Sequence, residues 1–267
     1  MWCYDPAQPD PFAGRRGAAL ETPQAPFQAT LSRSVRLLGA FRKEQSDPDF
    51  FYGMLARDTV AQLSAYTALD GALVADIGGG PGYFTDVLRA AGARPVCVDC
   101  DAGEMMARQG AAPEGAVLGS ALDIPLATGS VDVCFSSNVL EHVPDPWRMG
   151  DEMVRITRPG GVIYLSFTNW LSPWGGHETS PWHYLGGRRA ATRYTRRHGR
   201  PPKNLYGAGL YAVSIGDALR WARRQPDAEL LDALPRYHPH WATRVIRVPG
   251  LREIVSWNLL LVLRRRR

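Results

Sequence analysis

Lysine is almost missing from this chain of 267 residues: 29 of its 31 basic side chains are arginine. Four cysteines in that length make no oxidised framework, which excludes a disulfide-stapled scaffold. No stretch approaches the ~20 apolar residues of a membrane-spanning helix, and the longest informative run, Trp257 to Leu263, is strand-sized. The start, M-W-C-Y-D-P-A-Q-P-D-P, lacks the basic end and unbroken apolar segment of a secretory signal, so a cytoplasmic protein is expected. With 45% hydrophobic and 21% charged residues the chain is not disordered throughout.

The net charge of +5 conceals a split. Residues 1–184 carry 13 basic and 21 acidic side chains, whereas 185–267 carry 18 and 5. The basic C-terminal third is the part that would meet an anionic surface, such as the inner face of a membrane, although a GC-rich genome explains the arginine bias equally well. Residues 1–28, rich in Pro, Ala, Gly and Gln without apolar periodicity, are expected to be a disordered arm. Residues 29–267 then form one domain, with a core at 70–168, an insertion at 169–212, and a helix and strands at 213–267.

Within that domain, residues 31–69 read as helical, with Phe51, Leu55 and Thr59 at spacing four. L-V-A-D-I is a short strand, and Phe84, Val87, Leu88 and Ala91 mark one face of a following helix. P-V-C-V-D, Ala116–Leu118, Val131–Ser136 and Gly161–Phe167 read as further strands, the fourth placing Val131, Val133 and Phe135 on one face. Asp145 is placed to cap a helix with Pro146 at its first turn and Met149, Met153 and Ile156 as its apolar stripe, ended by R-P-G-G. Ser214 opens a helix in the manner of a capping box, and Glu229–Leu234 and Ile254–Leu263 are strand-like. Strands alternating with helices predict an α/β fold with a mostly parallel sheet.

D76-I-G-G-G-P-G82 lies between a strand and a helix, where glycines let the backbone turn tightly and approach a ligand. Tyr83 occupies the place of the last glycine of a dinucleotide fingerprint, and G-K-[ST] is absent, so both phosphate-binding motifs fail. V-A-D-I-G-G-G-P-G-Y-F instead resembles motif I of the class I S-adenosylmethionine-dependent methyltransferases, of the type 11-like kind. Asp99 closes the second strand where a carboxylate meets ribose hydroxyls. S120-A-L-D-I-P-L is similar to the family's adenine loop, with Ser120 where many members have aspartate. S-V-D-V-C-F-S-S-N-V-L-E-H-V-P-D-P and R-P-G-G-V-I-Y-L-S-F resemble the later motifs. D-P-D-F-F-Y-G-M-L-A-R-D-T-V, G-G-H-E-T-S-P-W-H-Y-L-G-G and P-R-Y-H-P-H-W further resemble uncharacterised actinomycete methyltransferases.

The resemblance implies a Rossmann-like, mostly parallel seven-stranded sheet with helices on both faces and an insertion after the fifth strand. It implies S-adenosyl-L-methionine as cofactor, held by Asp76, Gly78, Gly79, Gly80, Gly82, Asp99, Cys100, Ser120, Ala121, Leu122 and Ser137. Transfer from a sulfonium chiefly requires alignment and exclusion of water, and a weak nucleophile gains from a general base. His142 and His183 are candidates for that base; Glu141 and His142 could equally orient their turn. The Glu141–His142 pair also resembles that of quinone O-methyltransferases, some of which bind a divalent ion near it. Asn138 stands where a further carboxylate would be, and Cys97 and Cys100 lack a second ligand pair, so no metal is expected. Trp170, Trp174, His177, Trp182, His183 and Tyr184 could enclose an apolar acceptor or form a satellite core. Arg189, Arg193, Arg196 and Arg197 gather on one helical face opposite Ala190, Ala191 and Tyr194. A small-molecule or lipid-like acceptor, methylated on oxygen, is expected. One alternative takes the basic end as a nucleic-acid surface and makes this an RNA or DNA methyltransferase, but the amino-methylating pattern N/D-P-P-Y/F is absent, since S-N-V-L follows the fourth strand, so a nucleic acid is not the expected partner. A non-catalytic cofactor-binding or membrane-peripheral protein is the other alternative.

Overall fold

The computed structural model describes residues 29–44 and 46–267, so the expected arm at 1–28 lies outside the described residues. Two helices, α1 (Leu31–Phe41) and α2 (Pro48–Leu63), stand where one helical stretch was expected. The break has a local cause: the Asp47 carboxylate accepts from the Phe50 N–H and Pro48 occupies the first turn, a strong start signal inside the stretch.

The core then alternates β1 (Leu73–Ile77), α3 (Tyr83–Ala90), β2 (Arg94–Asp99), α4 (Ala102–Met106), β3 (Val117–Leu118), β4 (Val131–Ser137), α5 (Pro146–Ile156) and β5 (Thr157–Phe167). After the insertion, which contains α6 (Gly187–His198), come α7 (Ile215–Arg224), β6 (Ala228–Pro235), α8 (Leu251–Val255) and β7 (Leu259–Arg265). The strands form one sheet in the order β3-β2-β1-β4-β5-β7-β6. Its β7 runs antiparallel to both neighbours, and the other described pairings are parallel. Strand order reverses between β1 and β4, and in open α/β sheets ligands bind outside the carboxyl ends at such a switch point.

Both faces of the sheet are covered. Leu37, Leu55, Leu63 and Leu88 from α1–α3 pack with Val133, Phe135, Tyr164, Leu260 and Val262. On the other face Met149, Met153 and Ile156 of α5 and Ile215, Leu219 and Ala222 of α7 pack with Ile163, Leu165, Leu259, Leu261 and Leu263. Burial of both faces explains why β7 reads as an unbroken apolar run.

Three boundaries differ from the sequence reading. Val131 lies in the α5 core while Val133 and Phe135 lie in the α2 core, because a register shift separates Val131 from Val133. R-P-G-G does not stand outside the fifth strand: β5 begins at Thr157, which pairs with Val131. Ile254 and Val255 belong to α8, and β7 begins only at Leu259, opposite Phe167 and Pro235 where its partner strands end.

Candidate functional site

The carboxyl ends of β1 and β2 are joined by backbone before any ligand arrives. Gly78 N–H donates to the Val98 carbonyl at 2.7 Å, and Gly80 N–H donates to Asp99 Oδ2 at 2.9 Å. The other oxygen of Asp99 accepts from Asp101 N–H at 2.9 Å, so this half-buried carboxylate is fixed at the crevice edge. Gly78, Gly80 and Gly82 have φ of 72, 48 and 83°, a region that side chains disfavour.

The glycines do different work. A Cβ at Gly79 would lie 2.6 Å from Cys97 Sγ and 2.8 Å from Asp76 Oδ2, and one at Gly78 would strike Val139. A Cβ at Gly80 would meet only Asp99 Oδ2 at 3.9 Å, so this backbone faces open space beside the carboxylate. That opening, beside a carboxylate able to accept from hydroxyls, fits an adenosyl group. Asp76 faces away from it: the residue is buried and accepts from Thr85 Oγ1 at 2.7 Å, supporting the turn from beneath. Burial raises its carboxyl to about 7, opposed by the Thr85 hydrogen bond and reinforced by Asp99.

Around the opening, Cys100 is exposed, and Ala121 and Leu122 are half-buried. The exposed Ser120 accepts from Leu122 N–H at 3.1 Å, shaping its own loop. Arg148 Nε donates to the Leu122 carbonyl at 2.6 Å, and the paired Glu152 and Arg155 hold Ile124 and Leu126. Cys97 is buried and its thiol is pushed up to about 12, chiefly by burial, which leaves it inert beneath the glycines.

A family model described as a methyltransferase domain matches residues 75–165, the segment carrying this crevice. An uncharacterised methyltransferase of Mycolicibacterium gilvum is 55% identical over 249 residues, covering 89% of this chain and 96% of the relative. One of Mycobacteroides abscessus is 52% identical over 255 residues, covering 90% and 96%. The chain belongs to the S-adenosylmethionine-dependent methyltransferases. Among solved structures, an S-adenosylmethionine-dependent methyltransferase of Mesorhizobium loti shares the fold with TM-score 0.56 at 20% identity, covering 78% of this chain and 98% of that one. A TehB-like methyltransferase of Corynebacterium glutamicum gives 0.51 at 18% identity, covering 88% and 99%.

Next to β1 in the sheet of this methyltransferase, β4 ends in Ser137, followed by a strained Asn138 with φ 59°. Beyond them Glu141, His142 and His177 converge, each offering a ligand atom within 4.8 Å of the others. Glu141 is buried; Oε1 accepts from Thr168 N–H at 2.9 Å, while Oε2 has no partner. His142 Nδ1 lies 2.6 Å from the Gly209 carbonyl, so Nδ1 carries the proton and Nε2 keeps its lone pair. His177 stacks edge-on against His142 at 5.0 Å, with a buried and unpartnered Nε2. Burial lowers its imidazole to about 4, which keeps it neutral near neutral pH.

The other candidate base is elsewhere in the network. His183 is buried, with Nε2 3.2 Å from the Ser172 carbonyl and its ring edge-on to Trp170, the contacts of a residue that orders the insertion.

Sequence reasoning gave no role to Arg236, the largest fully buried side chain among the described residues. It donates to Ser137 Oγ at 2.9 Å, Ser166 Oγ at 2.6 Å and Thr59 Oγ1 at 2.5 Å, tying β4, β5 and α2 together beneath the acceptor side. Its only signal was its place in the P-R-Y-H-P-H-W segment.

Proposed function

We propose that this methyltransferase transfers its methyl group to an oxygen of a small-molecule or lipid-like acceptor. The carrying observation is the convergence of Glu141, His142 and His177 beyond the end of β4, each offering one atom within 4.8 Å of the others, with Glu141 Oε2 and His177 Nε2 unpartnered. A hydroxyl presented there has hydrogen-bond acceptors on its proton side. Bound S-adenosylmethionine supplies an already activated methyl on a sulfonium. Asp76, Gly78, Gly79, Gly80, Gly82 and Asp99 build or hold the turn that receives it. Cys100, Ser120, Ala121 and Leu122 border its adenosine end, and Ser137, fixed by Arg236, stands towards the acceptor.

An apolar acceptor is supported by a ladder of ring contacts leading away from the turn. Tyr83 stacks on Tyr52 at 5.3 Å, and contacts continue through Phe51, Phe41 and Trp174 to Trp257. Such a wall offers dispersion contact and water exclusion rather than charge recognition. Within the insertion, α6 buries Gly187, Ala190 and Ala191 and exposes Arg188, Arg189, Arg193, Arg196 and Arg197. Trp182, Tyr184 and Leu185 are exposed just before it, with the Arg193 guanidinium 3.8 Å over the Trp182 ring. Cations beside exposed aromatic and aliphatic groups suit peripheral contact with an anionic lipid surface at the cytoplasmic side of a membrane. No helix of the described residues is long and apolar enough to cross one.

The test is incubation of purified protein with isotopically labelled cofactor and a cognate metabolite and lipid extract, followed by mass spectrometry. An O-methylated apolar product supports the reading. Label on nucleic acid, or on nitrogen or carbon, overturns it.

A further inference from the structure

Two buried polar atoms without a partner belong to one side-chain cluster beyond β4. Glu141 Oε2 and His177 Nε2 are both buried without a hydrogen-bond partner, and leaving such groups bare costs far more than pairing them. The third atom of the group, His142 Nε2, is held as a lone pair by the Nδ1–Gly209 hydrogen bond, the arrangement by which a backbone carbonyl orients a metal-binding imidazole. One ligand atom from each of the three residues lies within 4.8 Å of the others, and these need close only to ~3.4 Å to surround an ion with bonds of ~2.1 Å.

Backbone strain adds a separate observation. His177 has φ 48°, unusual for a residue with a Cβ, and strain of that kind persists where the surroundings demand a particular side-chain placement. The consequence is that an imidazole from the insertion reaches a carboxylate and an imidazole from the turn after β4. Expecting no metal here rested on Asn138; folding supplies the third group from 36 residues beyond Glu141 instead.

We propose that Glu141, His142 and His177 bind one divalent transition ion of the zinc type, which clamps the insertion onto the core. Two imidazoles and one carboxylate form a donor set for such an ion that leaves a fourth position open. The far end of the insertion is tied to the same place, since Gly209 accepts from His142 and Tyr211 N–H donates to the Glu141 carbonyl at 2.8 Å. The ion therefore joins β4's turn to both ends of the segment that carries the acceptor-side aromatics. This deepens the oxygen-acceptor reading and rests on it in one respect: the acceptor oxygen takes the open position, and its proton leaves to solvent.

The experiment uses tag-free, full-length protein stripped with a chelator and titrated with Zn²⁺ by calorimetry, with bound metal counted by mass spectrometry. One ion per chain is expected, with at least ~10-fold weaker binding in His177→Ala and Glu141→Gln, unchanged binding in Cys100→Ser, and a melting temperature raised by Zn²⁺ in the wild type only. Cobalt in place of zinc should give the visible bands of a tetrahedral site in the unaltered protein, a readout that no misfolded variant can mimic. Failure to retain zinc after dialysis, or equal retention by His177→Ala, overturns the proposal. If zinc binds as expected but the labelled product carries its methyl on nitrogen or carbon, the metal site stands and the oxygen-acceptor reading falls.

Discussion

Asp76 offers a sharp test of how the glycine turn is supported, because its charge state is set by burial. The residue is 1% exposed, its carboxyl accepts from the Thr85 hydroxyl, and it is raised from 3.8 to about 7, chiefly by burial. The folded state therefore holds a proton that the unfolded state releases near pH 4. The stability contributed by this group is full below about pH 4 and is lost as pH rises through about 7. A shift of about three units, at ~1.4 kcal/mol each, bounds the loss at about 4 kcal/mol. For a chain of this size, at roughly 2 °C per kcal/mol, that corresponds to a fall in melting temperature of up to about 8 °C. Asp76→Asn keeps the shape and removes the titration. The difference in melting temperature between pH 5 and pH 8.5, measured by calorimetry or dye fluorescence, should shrink by several degrees relative to the wild type, while other groups cancel in the comparison. Thr85→Val removes the hydrogen bond that favours the charged form and should widen the difference instead. Identical differences in wild type and Asp76→Asn would refute the assignment of the proton to Asp76.

Adjacent glycines should separate folding from binding. Gly79→Ala forces a Cβ against Cys97 and Asp76 and should cost about 1–3 kcal/mol, read as a lower urea midpoint. Gly80→Ala meets open space and costs only its backbone strain of ~1–2 kcal/mol, yet should weaken cofactor binding at least ~10-fold in calorimetry. Asp99→Ala loses the carboxylate that accepts from Gly80 and Asp101 N–H, so cofactor affinity should fall roughly 10- to 100-fold with the circular-dichroism spectrum retained; unchanged affinity would remove Asp99 from the site. The α6 face should sediment with vesicles containing phosphatidylglycerol more than with phosphatidylcholine alone. Charge reversal at Arg189, Arg193 and Arg196 should abolish the difference, and salt-insensitive binding would argue against an electrostatic contact.

Much of the cofactor half was legible because its determinants are local. A strand, a glycine turn and a helix occupy one short stretch, and Asp99 falls at a strand end by counting alone. The likeness carried by V-A-D-I-G-G-G-P-G-Y-F names the same family as the domain match over residues 75–165. The α6 face was readable for the same reason: helical period alone sets the arginines opposite Ala190 and Ala191. Misreadings came where a neighbour decides. The shift at Val131 depends on how β4 meets β5, and the start of β7 depends on where β5 and β6 end.

The acceptor side shows the larger limit. Glu141 and His142 are adjacent in sequence, but His177 joins them only because the chain returns over the end of β4. Arg236 likewise lies 99 residues from Ser137 and 177 from Thr59, yet one guanidinium bonds both hydroxyls. By itself, the order of residues determined the alternating strands and helices and the glycine turn, since each depends on backbone geometry over a few positions, and the likeness of that turn to motif I carried the class of cofactor. Only tertiary structure decided which imidazole meets the buried carboxylate, which cation bonds Ser137, and which rings touch one another from Tyr83 to Trp257. Those choices follow from the packing of segments far apart in the chain, and no local periodicity encodes them.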